Sequence, residues 1–241
     1  EGTACFSPQE VYYTKITDTE VTLCAPTHPI GHRGDTLGGI NLNIRISSPM
    51  PDILRIQADH HMGRLERTPS FELKLDAPQK LQVEESKETI TITSGTLSLV
   101  ITKNPWSMTY KSGGKVLTES RGRDLALMKT AYKGDFYEVD GDLEDTYMRE
   151  QLGIDVGELL YGTGERFTPF VKNGQSVEIY NEDGGTSTEQ AYKNIPFFLS
   201  NKGYGVLINH PERVSMEFGT ENVTKTSFCV KGGSLDYFFF N

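Results

Sequence analysis

The sequence predicts an all-β protein, a large antiparallel β-sandwich with few short helices. Two observations carry this. Short segments that alternate apolar and polar residues recur along the chain, and turn-forming residues separate them. A third observation sets the scale: 36% of the 241 residues are hydrophobic and 10% aromatic, enough for a packed core and too many for a disordered chain.

The segments follow in order. "INLNIRI" (40–46) alternates isoleucine and leucine with asparagine and arginine. "FELKL" (71–75) does the same, then "ETITIT" (88–93) and "LSLVI" (97–101) on either side of the Ser94-Gly95 turn. "YGVLI" (204–208), "VSMEF" (214–218), "KTSFCV" (225–230) and "LDYFFF" (235–240) close the series. Period two with β-branched and aromatic enrichment marks half-buried strands, and the continuous Tyr237–Phe240 run marks a fully buried one. Gly113-Gly114, Asn173-Gly174 and Gly232-Gly233 supply turns. Two segments suit a helix: "GRDLALMKTAY" (122–132) fits helix or strand, and "STEQAYKN" (187–194) fits a turn or two capped by Ser187, with Glu189 or Gln190 reaching back and Pro196 ending it. The acidic stretch 134–150 reads as a hairpin or excursion on an edge. Many strands, no repeat and no linker suit one sandwich of two broad sheets.

Charge and cysteine content narrow the function. A formal net charge of −9 argues against nucleic acid, whose binding rests on Lys/Arg contacts to phosphate. No apolar run reaches bilayer length, so no membrane partner is expected. Cys5, Cys24 and Cys229 are odd in number and lack CxxC spacing, which predicts free, packed thiols. Adjacent His60 and His61 face opposite sides of a strand, and His28 and His32 lack ligand spacing, so no metal and no cofactor is expected. His210 in "NHPE" marks a turn. Free cysteines and a single sequon at Asn222 favour a cytoplasmic location over a secreted one. The chain starts at Glu1 without methionine and stops one residue past an apolar run, the pattern of a piece of a longer protein.

The densest chemistry lies in "EIYNEDGGTSTEQAYKNIPFF" (178–198), with carboxylates at Glu178, Glu182, Asp183 and Glu189. With "YGTGERF" (161–167) before it and "GYGVLINHP" (203–211) after it, this stretch resembles the N-terminal β-sandwich region of glycoside hydrolase family 31, most closely its α-xylosidase branch. "HRGDTLGG" (32–39) resembles the family more loosely. The resemblance implies a galactose mutarotase-like sandwich, residues 1–241, that precedes a (β/α)8 barrel carrying both catalytic aspartates of a retaining enzyme. It therefore implies no catalytic residue in this chain. Its partners would be that barrel and an α-xyloside oligosaccharide, with a homo-oligomer compatible. An α-glucosidase of the family and a self-contained carbohydrate-binding module are the competing expectations.

The resemblance maps a sugar-binding aspartate onto Asp183, within Asn181-Glu182-Asp183. A carboxylate accepts bonds from two sugar hydroxyls at once. The plainer alternative for Asp183 is an Asx turn. Glu165 is expected to pair with a neighbour such as Arg166, Glu178 and Glu182 to be solvated, and Tyr192, Phe197 and Phe198 to pack in the core rather than stack on sugar.

Overall fold

The computed structural model describes residues 2–60, 77–132, 146–181 and 191–241. "FELKL", His61, 134–145 and 182–190, with Asp183 among them, lie outside the described residues. Among the described residues strands dominate, and every pairing between them is antiparallel. The first sheet has six strands in the order β1 (Gly2–Phe6), β11 (Ala126–Tyr132), β12 (Thr146–Gly153), β18 (Lys225–Lys231), β17 (Val214–Phe218), β14 (Ser176–Ile179). The second has five: β10 (Lys115–Arg121), β9 (Ser107–Ser112), β8 (Leu97–Thr102), β7 (Thr89–Ser94), β6 (Gln82–Glu85). The third has eight: β13 (Leu160–Gly164), β15 (Asn194–Ser200), β16 (Tyr204–Ile208), β19 (Ser234–Phe240), β5 (Ile53–Asp59), β4 (Asn41–Ser47), β3 (Glu20–Pro26), β2 (Tyr13–Ile16).

The described strands thus form three sheets where the sequence suggests two. The eight-stranded sheet forms one layer. The six- and five-stranded sheets share the other, as their aromatic contacts show. Phe228 of β18 meets Tyr237 of β19 edge-on at 5.1 Å, and Phe218 of β17 meets Phe198 of β15 at 5.7 Å. Tyr110 of β9 stacks on Phe239 of β19 at 4.0 Å, and Tyr204 of β16 stacks on the same ring at 5.1 Å. One continuous apolar core fills the space between layers.

Where the split layer meets, a carboxyl is buried. Glu150 of β12 is wholly inaccessible. Its Oε1 accepts from Ser120 Oγ of β10 at 2.7 Å and from the Gln151 amide at 2.9 Å. Its Oε2 lies 3.3 Å from the Tyr237 hydroxyl of β19, which in turn lies 2.8 Å from the Tyr110 hydroxyl of β9. One carboxyl of the six-stranded sheet therefore bonds to a side chain from each of the other two. This also corrects the sequence expectation for 134–150. Its last residues form β12, which is central, between β11 and β18, and not an edge. A glutamate on the inward face, where Met148 and Leu152 also point, hid the alternation.

Other expectations sort cleanly. Residues 126–132 are strand β11, and 204–208 and 214–218 match β16 and β17 residue for residue. The Tyr237–Phe240 run alternates: Tyr237 and Phe239 face the core, while Phe238 and Phe240 are half-buried on the outer face. Residues 194–200 form β15, with Pro196 inside it, and 191–193 are not helical; the rest of the short helix expected over 187–194 lies outside the described residues. The proline's missing N–H costs no ladder bond, because the register with β13 shifts there and the pairing with β16 begins at Phe197. The one helix among the described residues is a 3-10 turn, Arg33–Leu37, capped reciprocally by His32 and Asp35. All three cysteines are free, but Cys5 is exposed rather than packed.

Burial pushes the Glu150 carboxyl up to about 8, partly opposed by its hydrogen bonds and assisted by the charge of Asp124. The folded chain therefore holds this proton where the unfolded chain, near 4.5, has released it. The stability it contributes is full below about 4.5 and is lost as pH rises to about 8. Urea unfolding at stepped pH is expected to show this slope, up to about 1.4 kcal/mol per pH unit. Glu150→Gln, which mimics the protonated form, should flatten it. Glu150→Ala, which leaves a cavity and unpaired donors, should cost about 3 kcal/mol at pH 6.

Candidate functional site

The residues on either side of 182–190 lie where the two layers meet at one end of the sandwich. The chain leaves β14, the edge of the six-stranded sheet, at Tyr180 and Asn181, and re-enters at Ala191 before β15, beside the β13 edge of the eight-stranded sheet. Strand β13 ends in a tight knot. Gly162, Thr163 and Gly164 all have positive φ, at 126°, 71° and 85°. Thr163 is β-branched, so this conformation is strained, and its buried Oγ1 has no hydrogen-bond partner among the described residues. The glycines are required by space as well as by φ. A Cβ on Gly162 would sit 2.4 Å from Phe197 O, and one on Gly164 would sit 2.2 Å from Lys193 O.

The knot delivers Arg166 to the gap between sheets. Its Nε donates to Thr163 O at 3.3 Å, and its guanidinium donates to Glu178 O of β14 and to Asn194 Oδ1 of β15. Asn194 then donates through Nδ2 to Tyr180 O at 2.7 Å and to Ala191 O at 2.6 Å. Its backbone N–H donates to Asn181 Oδ1 at 2.9 Å. Glu165, expected beside Arg166, instead meets Lys193 at 3.1 Å on the surface, a pair worth little. Behind it, segment 165–175 folds back along β13. Asn173 Oδ1 accepts from the Leu160 amide at 2.9 Å, and the Lys172 amide donates to Leu160 O at 2.8 Å. The Lys172 amine is buried against Thr168 Oγ1 and Pro169 O, and desolvation, then the charge of Arg166, lowers its pKa.

The surface around this neck is aromatic. Phe167, Phe170 and Tyr192 are each more than half exposed, as is Ile195. Tyr180 lies under the Arg213 guanidinium at 4.6 Å. Next to it, on the outer face of the eight-stranded sheet, Tyr161, Phe197, Leu199 and Phe240 line an open groove floored by Gly205. Phe198 is core, as expected, whereas Tyr192 is exposed and Phe197 lines the outer groove. Glu178 is solvated.

His210 and Glu212 come together at 3.2 Å beyond β16. His210 Nε2 accepts the Asp236 amide hydrogen at 2.9 Å, which leaves Nδ1–H to donate to Glu212. Both ring nitrogens are committed, so the ring fastens a turn. Among the described residues no group of three or more His, Cys, Asp or Glu could hold a metal ion, and no helix is long and apolar enough to cross a membrane. The sequence gives little warning of Arg166 and Asn194. The one hint is an asparagine at each end of the acidic stretch.

Residues 43–217 match the model of the glycosyl hydrolase 31 N-terminal galactose mutarotase-like domain. An α-xylosidase of Emericella nidulans is 42% identical over 86% of this chain, and α-xylosidase XylQ of Lactiplantibacillus pentosus is 36% identical over 96% of it. The chain spans 28% and 29% of those two proteins. Among solved structures, the cycloalternan-forming enzyme of Listeria monocytogenes, in complex with a pentasaccharide substrate, superposes with a TM-score of 0.78 at 21% identity, over 99% of this chain and 21% of its own.

Two glycines with similar φ, 85° at Gly164 and 80° at Gly174, separate strain from crowding. Gly164→Ala, whose Cβ would meet backbone atoms, should cost about 3 kcal/mol in urea unfolding. Gly174→Ala, at φ +80° with nothing within 4 Å, should cost about 1 kcal/mol. Equal costs would mean that the close approach of β13 to β15 contributes nothing.

Proposed function

We infer the function from one established point: the chain belongs to glycoside hydrolase family 31, as the N-terminal galactose mutarotase-like domain of that family. We propose that the complete protein is a retaining α-xylosidase that releases α-linked xylose from xylosylated oligosaccharides. In this proposal the two catalytic aspartates sit on a (β/α)8 barrel outside the chain, and the sandwich alone is inert. Its contribution is one wall of the active-site mouth, through the segment that carries Asp183. The observation that carries the proposal is the identity to two α-xylosidases over most of the chain, while the chain spans less than a third of either.

The surface supports a contact with a further domain. A strip of exposed aromatic and aliphatic side chains, from Phe167 and Phe170 through Ile195 to Leu199, runs beside the neck, where a solvated domain would favour charge. The chemistry fits a sugar-binding role for Asp183. A carboxylate gripping two hydroxyls orients a neutral ring without itself reacting, and interactions that tighten in the transition state raise kcat/KM.

Two assays test this. The isolated chain should show no turnover of a chromogenic α-xyloside, whereas the full-length enzyme should turn it over in preference to the α-glucoside. In the full-length enzyme Asp183→Ala should lower kcat/KM ten- to a hundredfold, since each lost charged hydrogen bond is worth about 1.5–3 kcal/mol. Robust turnover by the isolated chain would overturn its inertness. Millimolar or tighter xylose binding by the isolated chain, with an unaltered Asp183→Ala enzyme, would favour a self-contained binding module instead.

A further inference from the structure

Two rows of side chains cross the outer face of the eight-stranded sheet. Cross-strand register sets Tyr161, Leu199, Gly205 and Phe240 side by side on β13, β15, β16 and β19. The next row sets Phe197 beside Leu207, and Leu207 beside Phe238. Neither row carries a charge before β5, where the second meets Arg55. A sheet face in contact with water places polar residues outward, and strands covered on both sides do not. These outward positions are apolar. Gly205 leaves a dent in the first row. A Cβ there would stand 3.0 Å from Leu199 Cδ2 and from Phe197 Cε2 and Cζ, so a larger residue would fill the groove that they line.

A loop beside the groove presents two more rings. Phe170 tilts against Tyr161 at 5.2 Å, and both Phe170 and Phe167 stand mostly in solvent. The loop is tied down from behind. The buried Lys172 ammonium donates to Thr168 Oγ1 and Pro169 O, and the Gln175 amide donates to that same carbonyl and to Val171 O. Hydrogen bonds thus hold a loop whose tip is apolar and exposed, which is preorganisation for a contact.

We propose that groove and tip together are the seat of a further domain of the same polypeptide, which covers both rows and places an apolar side chain over Gly205. This rests on the reading that the complete protein extends beyond this chain, which spans 28% and 29% of the two α-xylosidases. The surface suits protein better than sugar. A pyranose stacks on a flat platform, but Phe197 and Phe240 meet edge-on at 89°, Tyr161 and Phe170 meet at 44°, and the aliphatic Leu199 stands among them. A tethered domain also has the advantage over a second copy, because its effective concentration is on the order of millimolar at any dilution.

Hydroxyl-radical footprinting of the full-length enzyme tests this. Phe170, 79% exposed in the sandwich, should oxidise as slowly as the core residue Phe198. Leu199 should oxidise severalfold more slowly than Leu37, although their exposures, 48% and 84%, differ less than twofold. Leu199→Glu, which sets a charge in the contact, should lower the melting temperature by several degrees and speed oxidation of Phe170 while Phe198 stays protected. Leu37→Glu should do neither. Phe170 and Leu199 reacting as exposed residues overturn the proposal, as does a Leu199→Glu enzyme with wild-type melting and footprint. Protection lost on dilution to a smaller assembly assigns the surface to a second copy, and protection that appears only with a xylosylated oligosaccharide assigns it to sugar; either overturns the proposal. Neither readout uses activity, so an enzyme that prefers α-glucosides would overturn the xylosidase reading alone.

Discussion

The structure depends on a buried carboxyl. Glu150 sits at the seam where one layer of the sandwich is divided between two sheets, and its hydrogen bonds reach Ser120 on one of them and Tyr237 on the opposite layer. Apolar packing is non-directional and would allow the sheets to slide against one another. A buried polar group is directional, and leaving it unsatisfied is costly. The proton it retains at neutral pH spares it an uncompensated buried charge. Glu150, Tyr237 and Tyr110 thus fix the sheets relative to one another, and the Tyr110–Phe239–Tyr204 column of rings carries that alignment along the core.

The alignment matters at the end of the sandwich. The neck of 182–190 has one foot beside β14 and the other beside β15, on different sheets. Any shift between layers would pull it apart. Arg166 and Asn194 span that gap with hydrogen bonds, and the strained Gly162-Thr163-Gly164 knot aims Arg166 into it. Strain of this kind persists only where surrounding structure enforces it, and here the backbone of β15 presses directly on the two glycines.

Much of the fold was legible because most strands follow the two-residue period. β16 and β17 could be read to the residue. β12 was obscured by its inward glutamate, β15 by a proline placed where no ladder bond is needed, and the outer face of β19 by aromatic residues where solvent usually dictates polar ones. The division of one layer into two sheets depends on long-range contacts that local periodicity does not encode. The candidate site rests on a different kind of reading, and Asp183 lies outside the described residues. Four carboxylates drew attention to 178–198, yet nothing in their spacing singles out Asp183; family resemblance does. The bonds of Asn194 were scarcely legible, because an asparagine's role is set by which carbonyls surround it.

The most direct test of the central claim, that this sandwich forms one wall of a xylosidase mouth, is a crystal structure of the full-length enzyme with xylose bound. Two oxygens of the sugar are expected within about 3 Å of the Asp183 carboxylate. A bound sugar contacted only by residues outside this chain, with Asp183 turned to solvent, would contradict the claim.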